Sequence, residues 1–278
     1  MEQKYIKSPL NYTGGKYKLL PQILPLFPKD IDTFVDLFSG GFNVGINVKA
    51  KKIIYNDICN EVVQILNTFY NMNINNILHE VKHNISKYSL SKENKDGFLQ
   101  FRNDWNKTKE NWIDLYTLIC YAFNNQIRFN SKGAYNMPFG KDRSSFNPTL
   151  ENKLKLFIDS LHNKNIVFCN YNFKELKIDK LLANDLVYCD PPYFNSTASY
   201  NENGGWTEQD EQDLLELLDD INDKGIKFAL SNNLKYDNPL LKEWIKKYNV
   251  HYLNGDYSNC NYQKKDKGDD IEVLITNY

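Results

Sequence analysis

The sequence lacks the long apolar segments and the paired cysteines that mark membrane proteins and disulfide-rich proteins. Its apolar stretches are interrupted within about ten residues, which is too short to span a bilayer. No apolar run follows Met1, so no secretory signal is visible. The five cysteines are scattered without a C-x-x-C pair, which argues against a zinc site or disulfide framework. These absences predict a cytoplasmic protein with no membrane association and no cysteine-bound zinc.

An excess of charge of one sign is missing as well. The 34 basic and 35 acidic residues give a net charge of −1, so a polyanion would have to meet a local basic patch. Apolar residues make up 41% of the 278 positions, with 19 Tyr and 16 Phe. That is enough for a real core in one large or two modest domains, and it excludes a disordered chain.

Two short apolar runs near the amino terminus have the length of strands. Residues 33–38 lead into Ser39-Gly40-Gly41, and residues 52–55 lead into Asn56-Asp57, with a short helical pattern at 43–48 between them. This order is typical of the first βαβ unit of a nucleotide-binding sheet. The G-x-G-x-x-G fingerprint is absent, which favours an adenosine ligand other than a dinucleotide.

The second half of the chain continues the strand pattern. Three further apolar runs predict strands, at residues 165–169, 185–189 and 226–230. Thr207 can cap a helix with Asp210 three positions on, ahead of a leucine-rich stripe. Residues 251–253 and 272–275 are expected to pair as antiparallel edge strands. Together these patterns predict an α/β fold.

Helical spacing replaces the strand pattern between residues 60 and 148. We interpret residues 60–148 as a helical domain inserted into a sheet domain made of residues 1–59 and 149–278. The last part of the insertion combines aromatic residues with four cations against a single acidic residue, Asp142. The cations are Arg128, Lys132, Lys141 and Arg143.

A short motif, Asp190-Pro191-Pro192-Tyr193, directly follows the strand at 185–189. Two prolines after a strand are typical of a turn, but this end of a parallel strand is also where open α/β sheets bind ligands. A carboxylate and a carbonyl held by Pro191 could accept the N–H hydrogens of a nucleobase amine and localise its lone pair on nitrogen. Tyr193 offers a face on which a flipped base could stack. From these residues alone, the catalytic and the turn interpretations are equally supported.

Two other motifs leave a similar choice. The glycines after Phe38-Ser39 allow a backbone to approach a ligand, and Asp57 could hold ribose hydroxyls, but a tight βα turn with a surface acid would look the same. The segment Tyr12-Thr13-Gly14-Gly15-Lys16 fits a flexible leader with a solvated lysine. Neither motif decides a function by itself.

Taken in order, the three motifs resemble the Dam-type DNA adenine-N6 methyltransferases. That family has an aromatic-x-G-G-K element, then F-x-G-G, then N-D, and finally D-P-P-Y, all of which stand here in the same order. Residues 124–130 and 136–141 are similar to the family's target-recognition stretch, and residues 230–232 and 275–278 also match. The likeness therefore spans nearly the whole chain.

The resemblance implies a Rossmann-like, S-adenosylmethionine-dependent methyltransferase sheet with an inserted helical target-recognition domain. S-adenosylmethionine would be the methyl donor and S-adenosylhomocysteine the product, and no metal is needed because the positive sulfur already activates the leaving group. Many members of the family carry an acid where Asn172 stands, and Phe42 replaces a frequent third glycine. The implied cofactor-binding residues are Tyr12, Lys16, Asp36, Phe38, Ser39, Gly40, Gly41, Asp57, Asn172, Phe173 and Asp190.

The resemblance also implies how duplex DNA is handled. The target adenine would flip out, stack on Tyr193 and donate its N6 hydrogens to Asp190 and the Pro191 carbonyl, with Pro192 completing the catalytic motif. A loop from Phe194 to Trp206 is a candidate lid over the base. GATC is the expected target and a monomer the expected state. The implied DNA-binding residues are Phe123, Asn124, Gln126, Arg128, Lys132, Met137, Pro138, Lys141 and Arg143.

Two other functions fit parts of the sequence. The first is methyl transfer to protein glutamine or to adenine in RNA. Glutamine methylators usually carry Asn in place of Asp190 and lack a basic helical insertion, so both features oppose this function. The second is a DNA-binding module without chemistry, which would have no need of Lys16, Asp57 and Asp190 together.

Overall fold

The chain folds into two compact units in a computed structural model that describes residues 5–195, 205–254 and 271–278. The helical unit consists of Met1–Gly15, Gly40–Ile46 and Cys59–Lys164. The sheet unit consists of Lys16–Ser39, Asn47–Ile58 and Asn165–Tyr278. Among the described residues, no helix combines the length and the apolar character that crossing a membrane requires.

The described part of the sheet unit contains one seven-stranded sheet in the order β3-β2-β1-β4-β5-β7-β6. The strands are β1 (Thr33–Asp36), β2 (Lys52–Asn56), β3 (Ile166–Cys169), β4 (Leu186–Cys189), β5 (Lys227–Asn233), β6 (Asn249–Leu253) and β7 (Glu272–Thr276). Strands β1 to β5 are parallel, and β7 is antiparallel to both of its neighbours. The predicted α/β fold class is confirmed. The expectation of two edge strands at the carboxyl terminus is wrong for β7, which lies inside the sheet between β5 and β6.

In the described part of the sheet unit, three α-helices accompany the sheet: α1 (Leu20–Ile23), α7 (Glu208–Asp223) and α8 (Pro239–Trp244). The Thr207–Asp210 capping box is confirmed, since each side chain bonds the other residue's backbone N–H. The leucine stripe of α7 packs on the apolar face of the sheet, where Val187, Phe228 and other strand residues are fully buried. This burial holds the helix in place, because an isolated helix of that length is marginal in water.

Strand β1 lies at the point where the strand order reverses. The chain leaves β1 to form β2 on one side, and β4 later pairs with its other side. In open α/β sheets, the crevice outside the carboxyl ends of such a strand pair is the usual ligand site. The ends of β1 and β4 are therefore the first place to look for function.

The short helix expected at residues 43–48 does not form. The segment contains only a 3-10 turn at Gly45–Asn47, and Phe42 before it has a φ of 65°. Six residues are too few for a helix without tertiary support, and a left-handed residue at its start removes the first turn.

The helical unit has five α-helices in its described part: α2 (Asn60–Asn71), α3 (Ile74–Lys87), α4 (Lys95–Thr108), α5 (Trp112–Tyr121) and α6 (Pro148–His162). Helix α5 is buried along Leu115–Tyr121 and packs against α2, α3 and α4, so it forms the centre of this unit. Asparagine side chains cap four of the five helices, at Asn73, Asn94, Asn111 and Asn147.

The helical unit has wider bounds than the insertion expected at 60–148. It includes α6, which packs on α2 through its buried apolar face, including Leu154 and Phe157. It also includes residues before 16 and the segment Gly40–Ile46. The sequence pattern marked where helical spacing begins, but not which neighbouring segments pack with the helices.

Candidate active site

The carboxyl edge of the sheet unit carries acidic and amide side chains that are buried. Asp36 ends β1, Asn56 ends β2, and Asp57 follows it, with exposed fractions of 1%, 1% and 6%. Asp190 follows β4, the other neighbour of β1. Buried carboxyl groups at a sheet's switch point mark a candidate ligand site, because burying them without a function is unfavourable.

Asn56 fixes the turn after β1. Its Nδ2 donates to the carbonyls of Leu37 and Tyr171 at 3.0 and 3.1 Å, and its backbone N–H donates to Ser39 Oγ at 3.2 Å. Ser39 Oγ in turn donates to the Asp36 carbonyl at 2.6 Å. These bonds tie the ends of β1 and β2 to the segment after β3, so the motif residues Asn56 and Ser39 have structural roles.

A group of aromatic rings covers the next part of this edge. Phe38, Phe173 and Trp206 have ring centroids 5.4 to 5.7 Å apart. Asn172 is exposed, and its side chain accepts from the Lys174 N–H to cap the 3-10 turn at Phe173–Glu175. Asn172 thus serves as a cap in this structure, while Phe173 supplies an apolar surface.

Asp190 and Lys16 form an ion pair in the sheet unit. Lys16 Nζ lies 2.7 Å from Asp190 Oδ1 and 2.9 Å from Oδ2, and the two side chains are only 3% and 17% exposed. Burial raises the pKa of Asp190 above its ordinary value, and the ammonium group of Lys16 opposes that rise. Lys16 therefore stabilises the charged form of Asp190 in a place where burial favours the neutral acid.

Tyr193 lies against the same pair. Its hydroxyl is 3.4 Å from Asp190 Oδ1 and 3.1 Å from Glu272 Oε2, and Lys16 Nζ lies 5.1 Å from the ring centroid. Pro191 is buried and Pro192 half-buried. The structure therefore brings together Lys16, Asp190 and Tyr193, which belong to two of the sequence motifs. It adds Glu272, which the sequence analysis did not identify.

The charge of Asp36 acts on the same buried region as the charge of Asp190. Burial raises the pKa of the Cys189 thiol, and the negative charges of Asp36 and Asp190 raise it further. Among the described residues of the sheet unit, the candidate site thus has four acidic or basic side chains and one phenol. They are Asp36, Lys16, Asp190 and Glu272, with Tyr193.

In the helical unit, Tyr12 packs on the glycine pair. A Cβ at Gly40 would stand 2.8 Å from Tyr12 Cδ1, and one at Gly41 would stand 3.2 Å from Tyr12 Cβ. Gly40 also has a φ of +47°, which disfavours any larger residue. The glycines are needed because the Tyr12 side chain lies on their backbone, a local reason that the βα-turn pattern did not indicate.

The recognition loop, residues 123–143, extends from the end of α5 in the helical unit. The Phe123 N–H donates to the Pro138 carbonyl, and Ala122–Phe139 and Phe129–Tyr135 form antiparallel bridges. The described loop thus has the pairing of an irregular hairpin.

Most of the predicted DNA-binding side chains in this loop are exposed. They are Phe123, Asn124, Arg128, Lys132, Pro138, Lys141 and Arg143, while Gln126 is half-buried. Arg143 lies over the Phe123 ring at 6.0 Å, and Arg128 Nε donates to Asn136 Oδ1 at 3.0 Å. At the loop's base, the Asn124 carbonyl accepts from Asn11 Nδ2 at 2.7 Å.

Met137 is an exception among these residues. Its side chain is 3% exposed, and its carbonyl accepts from Arg102 at 2.8 Å. Methionine is apolar and flexible, so its side chain can pack into a core at a position where a polar side chain would remain exposed to solvent. The expectation that the Met137 side chain contacts DNA is therefore corrected: it anchors the loop to the helical unit.

Two further points concern the sequence predictions. The candidate lid from Phe194 to Trp206 falls largely outside the described residues, as does Cys260. Glu272 and its partner Asn233 were not singled out. The sequence indicates them only weakly. Polar residues flank two apolar runs: Ser231-Asn232-Asn233 follow the run in β5, and Glu272 precedes the run in β7.

A comparison with protein families decides the assignment. The model of the D12 class N6 adenine-specific DNA methyltransferases matches residues 12–259. The chain belongs to this family. The D12 assignment confirms the predicted resemblance to Dam-type enzymes, and the mixed, mostly parallel sheet is consistent with the Rossmann-like fold of such methyltransferases.

Individual relatives of this D12 chain differ in length. It is 54% identical to the type II methyltransferase M.FokI of Planomicrobium okeanokoites and 45% identical to the modification methylase StsI of Streptococcus sanguinis, over 99% of its own length. It spans 43% of the length of each. It is also 26% identical to the DNA adenine methylase of Escherichia coli K12, covering 88% of this chain and 86% of that protein.

Proposed function

We propose that this chain transfers a methyl group from S-adenosylmethionine to N6 of a flipped adenine within a specific site in double-stranded DNA. The observation that carries the proposal is the buried Lys16–Asp190 pair with Tyr193 beside it, at the carboxyl end of β4. Membership in the D12 class supplies the substrate and the reaction type. A binding module would gain nothing from keeping an ionised carboxylate in so buried a place.

The residues of the sheet unit fit the proposed cofactor. S-adenosylmethionine carries ribose hydroxyls, an ammonium group and a sulfonium. The edge offers the buried acid Asp57 for the ribose hydroxyls and the buried acid Asp36 for the ammonium group. The rings of Phe38 and Phe173 offer an apolar surface for its adenine. When bound, the cofactor supplies a methyl group on positive sulfur. We propose that Tyr12, Ser39, Gly40 and Gly41 also bind the cofactor, as the resemblance to Dam-type enzymes implies.

The side chains of this chain would then prepare the acceptor. A carboxylate at Asp190, kept ionised by Lys16, accepts one N6 hydrogen, and the Pro191 carbonyl accepts the other. Accepting both hydrogens turns the nitrogen lone pair away from the aromatic ring, so it can attack in line. Tyr193 provides the stacking face, and holding both reactants in this geometry contributes much of the rate.

The test uses purified protein, methyl-labelled S-adenosylmethionine and a pool of unmethylated duplexes with randomised sequence. We expect label on N6 of adenine in a subset that shares a common site. Labelled RNA or labelled glutamine in a peptide, with unlabelled DNA, would overturn the proposal. Absence of S-adenosylmethionine binding, together with no methyl transfer, would favour a binding module.

The target sequence has to come from that experiment. GATC was expected from the resemblance to Dam-type enzymes. However, the relatives at 54% and 45% identity are the type II methyltransferase M.FokI and the modification methylase StsI, not Dam enzymes. The GATC expectation has no support from these relatives, so a GATC duplex is only one arm of the test. We also propose that the protein acts as a monomer in the cytoplasm.

For DNA reading, we propose that the recognition loop contacts bases through Arg128 and phosphates through Lys132, Lys141 and Arg143. Asn136 holds the Nε–H of Arg128, which fixes the plane of the guanidinium. A guanidinium so oriented presents paired donors of the kind that bind guanine O6 and N7. Phe123 is a candidate wedge because its ring is exposed at the start of the loop.

Replacing Arg128 with alanine is expected to lower kcat/KM on the cognate site by about 10- to 100-fold and to relax selectivity at one base pair. Lys132→Ala is the matched control, because it removes one exposed charge from the same loop. It should weaken all duplexes alike and reduce the salt dependence of binding by about one phosphate contact. Equal loss on every sequence in Arg128→Ala would assign Arg128 to the phosphates instead.

A further inference from the structure

Glu272 is a buried carboxylate in direct contact with Tyr193. It begins β7, lies inside the sheet and is 3% exposed. Its Oε2 accepts from the Tyr193 hydroxyl at 3.1 Å, and its Oε1 accepts from Asn233 Nδ2 at 3.1 Å. Asn233 and Glu272 are paired in register across β5 and β7, so both side chains lie on the same face.

The fold alone gives no reason for a carboxylate at this position. An ionisable group in the middle of a sheet costs free energy, and a well-packed apolar residue usually serves stability as well or better. The next residues of β7, from Val273 to Ile275, are all apolar and fully buried. What Glu272 adds is a fixed acceptor for one phenol.

The position of the acceptor is itself fixed. Asn233 Oδ1 accepts from the Lys235 N–H at 3.0 Å, which leaves its Nδ2 pointing at Glu272 as the donor. The chain of contacts therefore runs from the backbone of Lys235 through Asn233 and Glu272 to the Tyr193 hydroxyl. Each member has one orientation that satisfies its neighbours.

A phenol has one proton and therefore one full hydrogen bond to donate. The Tyr193 hydroxyl stands closer to Glu272 than to Asp190, at 3.1 against 3.4 Å. The shorter contact, to Glu272, therefore holds the hydroxyl end of the ring, and the lone pairs of Asp190 stay available for other donors.

We propose that Glu272, held by Asn233, is a positioning residue that fixes the Tyr193 ring through its hydroxyl. The inference rests on the proposed function, in which that ring supports the flipped base. Glu272 does not touch the reacting atoms. It acts by keeping the stacking face in one orientation before the base arrives.

Among the described residues, the charged and titratable groups that face Glu272 are Lys16 and Asp190 together with the Tyr193 phenol. Burial raises the pKa of Glu272, the positive charge of Lys16 opposes the rise, and Asp190 adds to it. A protonated Glu272 could donate to the phenol oxygen instead of accepting from it, which also holds the ring. Positioning is therefore expected to survive a change in its protonation.

Four variants test the inference: Glu272→Leu, Glu272→Gln, Tyr193→Phe and the double variant E272L/Y193F. Glu272→Gln can keep its oxygen toward Asn233 and turn its NH₂ group to the phenol oxygen. The control is Asp219→Asn, since Asp219 also accepts from a phenol, that of Tyr248, near the opposite ends of the strands. All are compared with wild type in the full chain.

The readouts separate positioning from activity. They are single-turnover methyl transfer, cofactor affinity, thermal unfolding, and the ¹⁹F NMR signal of 3-fluorotyrosine placed at position 193. In Glu272→Leu we expect methyl transfer to fall about 10- to 100-fold, as for a lost hydrogen bond to a charged group. Cofactor affinity should stay near wild type and the ¹⁹F signal should broaden or split. The unfolding temperature should fall only modestly, because Asn233 Nδ2 loses its buried acceptor.

The conservative variants complete the test. Glu272→Gln should retain methyl transfer within about threefold, since one hydrogen bond to the phenol remains. In the Tyr193→Phe background, Glu272→Leu should have little further effect. Asp219→Asn should leave methyl transfer at the wild-type level.

Three results would overturn the inference: an unchanged ¹⁹F signal in Glu272→Leu, a large fall in unfolding temperature that accounts for the loss of activity, or additive effects of the two substitutions. Failure of the proposed function has a different signature. Wild type would then methylate no adenine, while the ¹⁹F comparison would still report whether Glu272 orders the ring.

Discussion

Methyl transfer by Asp190→Ala is expected to fall by about 10³-fold or more, while cofactor affinity changes little. Asp190 is proposed to accept an N6 hydrogen only as the lone pair localises, so its contribution is largest in the transition state. The measurement is single-turnover methylation of a cognate duplex, with cofactor affinity from equilibrium titration. Normal transfer by a folded Asp190→Ala protein would exclude the proposed mechanism.

The control for Asp190→Ala has to address stability, because the substitution leaves the buried Lys16 ammonium without its carboxylate. Breaking one side of a buried ion pair costs about 3–5 kcal/mol, much of which the double variant K16M/D190A should restore. Stability recovered without activity would show that the loss is chemical. The exposed pair Lys51–Asp32, at 2.6 Å, provides the matched surface control: Asp32→Ala should alter neither property.

Lys16→Met is expected to lower methyl transfer at neutral pH by about 10²-fold and to restore part of it as the pH rises. Burial already raises the pKa of Asp190, and Lys16 is the main group that opposes the rise. Without Lys16 the pKa of Asp190 rises further, and a protonated acid cannot accept a hydrogen through that oxygen. The pH profile of single-turnover methylation checks the prediction.

The direction of the pH effect follows from which form is active. The ionised carboxylate accepts, so the rate increases as the pH rises through the pKa of Asp190. Removing Lys16 moves this increase to higher pH, and Lys51→Met should leave it in place. A uniform loss at every pH, together with weaker cofactor binding, would instead make Lys16 a cofactor contact only.

The sheet was predictable where local pattern and tertiary structure agree. Strands β2, β4 and β5 follow apolar runs with polar ends, and the Thr207–Asp210 box is a short-range feature that needs no distant partner. The short helix at 43–48 was predicted from too few residues. The interior position of β7 depends on pairing with β5, a contact between distant segments that periodicity does not encode.

The candidate site divides in the same way. The resemblance to Dam-type enzymes pointed to Lys16, Asp190 and Tyr193, because the motifs that carry it can be read directly in the sequence. Glu272 could not be identified from the sequence. Its role depends on the strand register that places it beside Asn233 and on its contact with the Tyr193 hydroxyl. The expected DNA contact of the Met137 side chain depended on its being exposed. The structure buries this side chain, and burial cannot be read from its position in a polar loop.

The division into two units has a consequence for how target choice can change between related proteins. The chain passes from one unit to the other after residues 15, 39, 46, 58 and 164. Neither unit is a continuous piece of the chain, so no single genetic exchange could replace the helical unit and leave the sheet unit intact. On the proposed function, new targets are therefore most accessible through point changes and short insertions in the recognition loop, which is one uninterrupted stretch of chain.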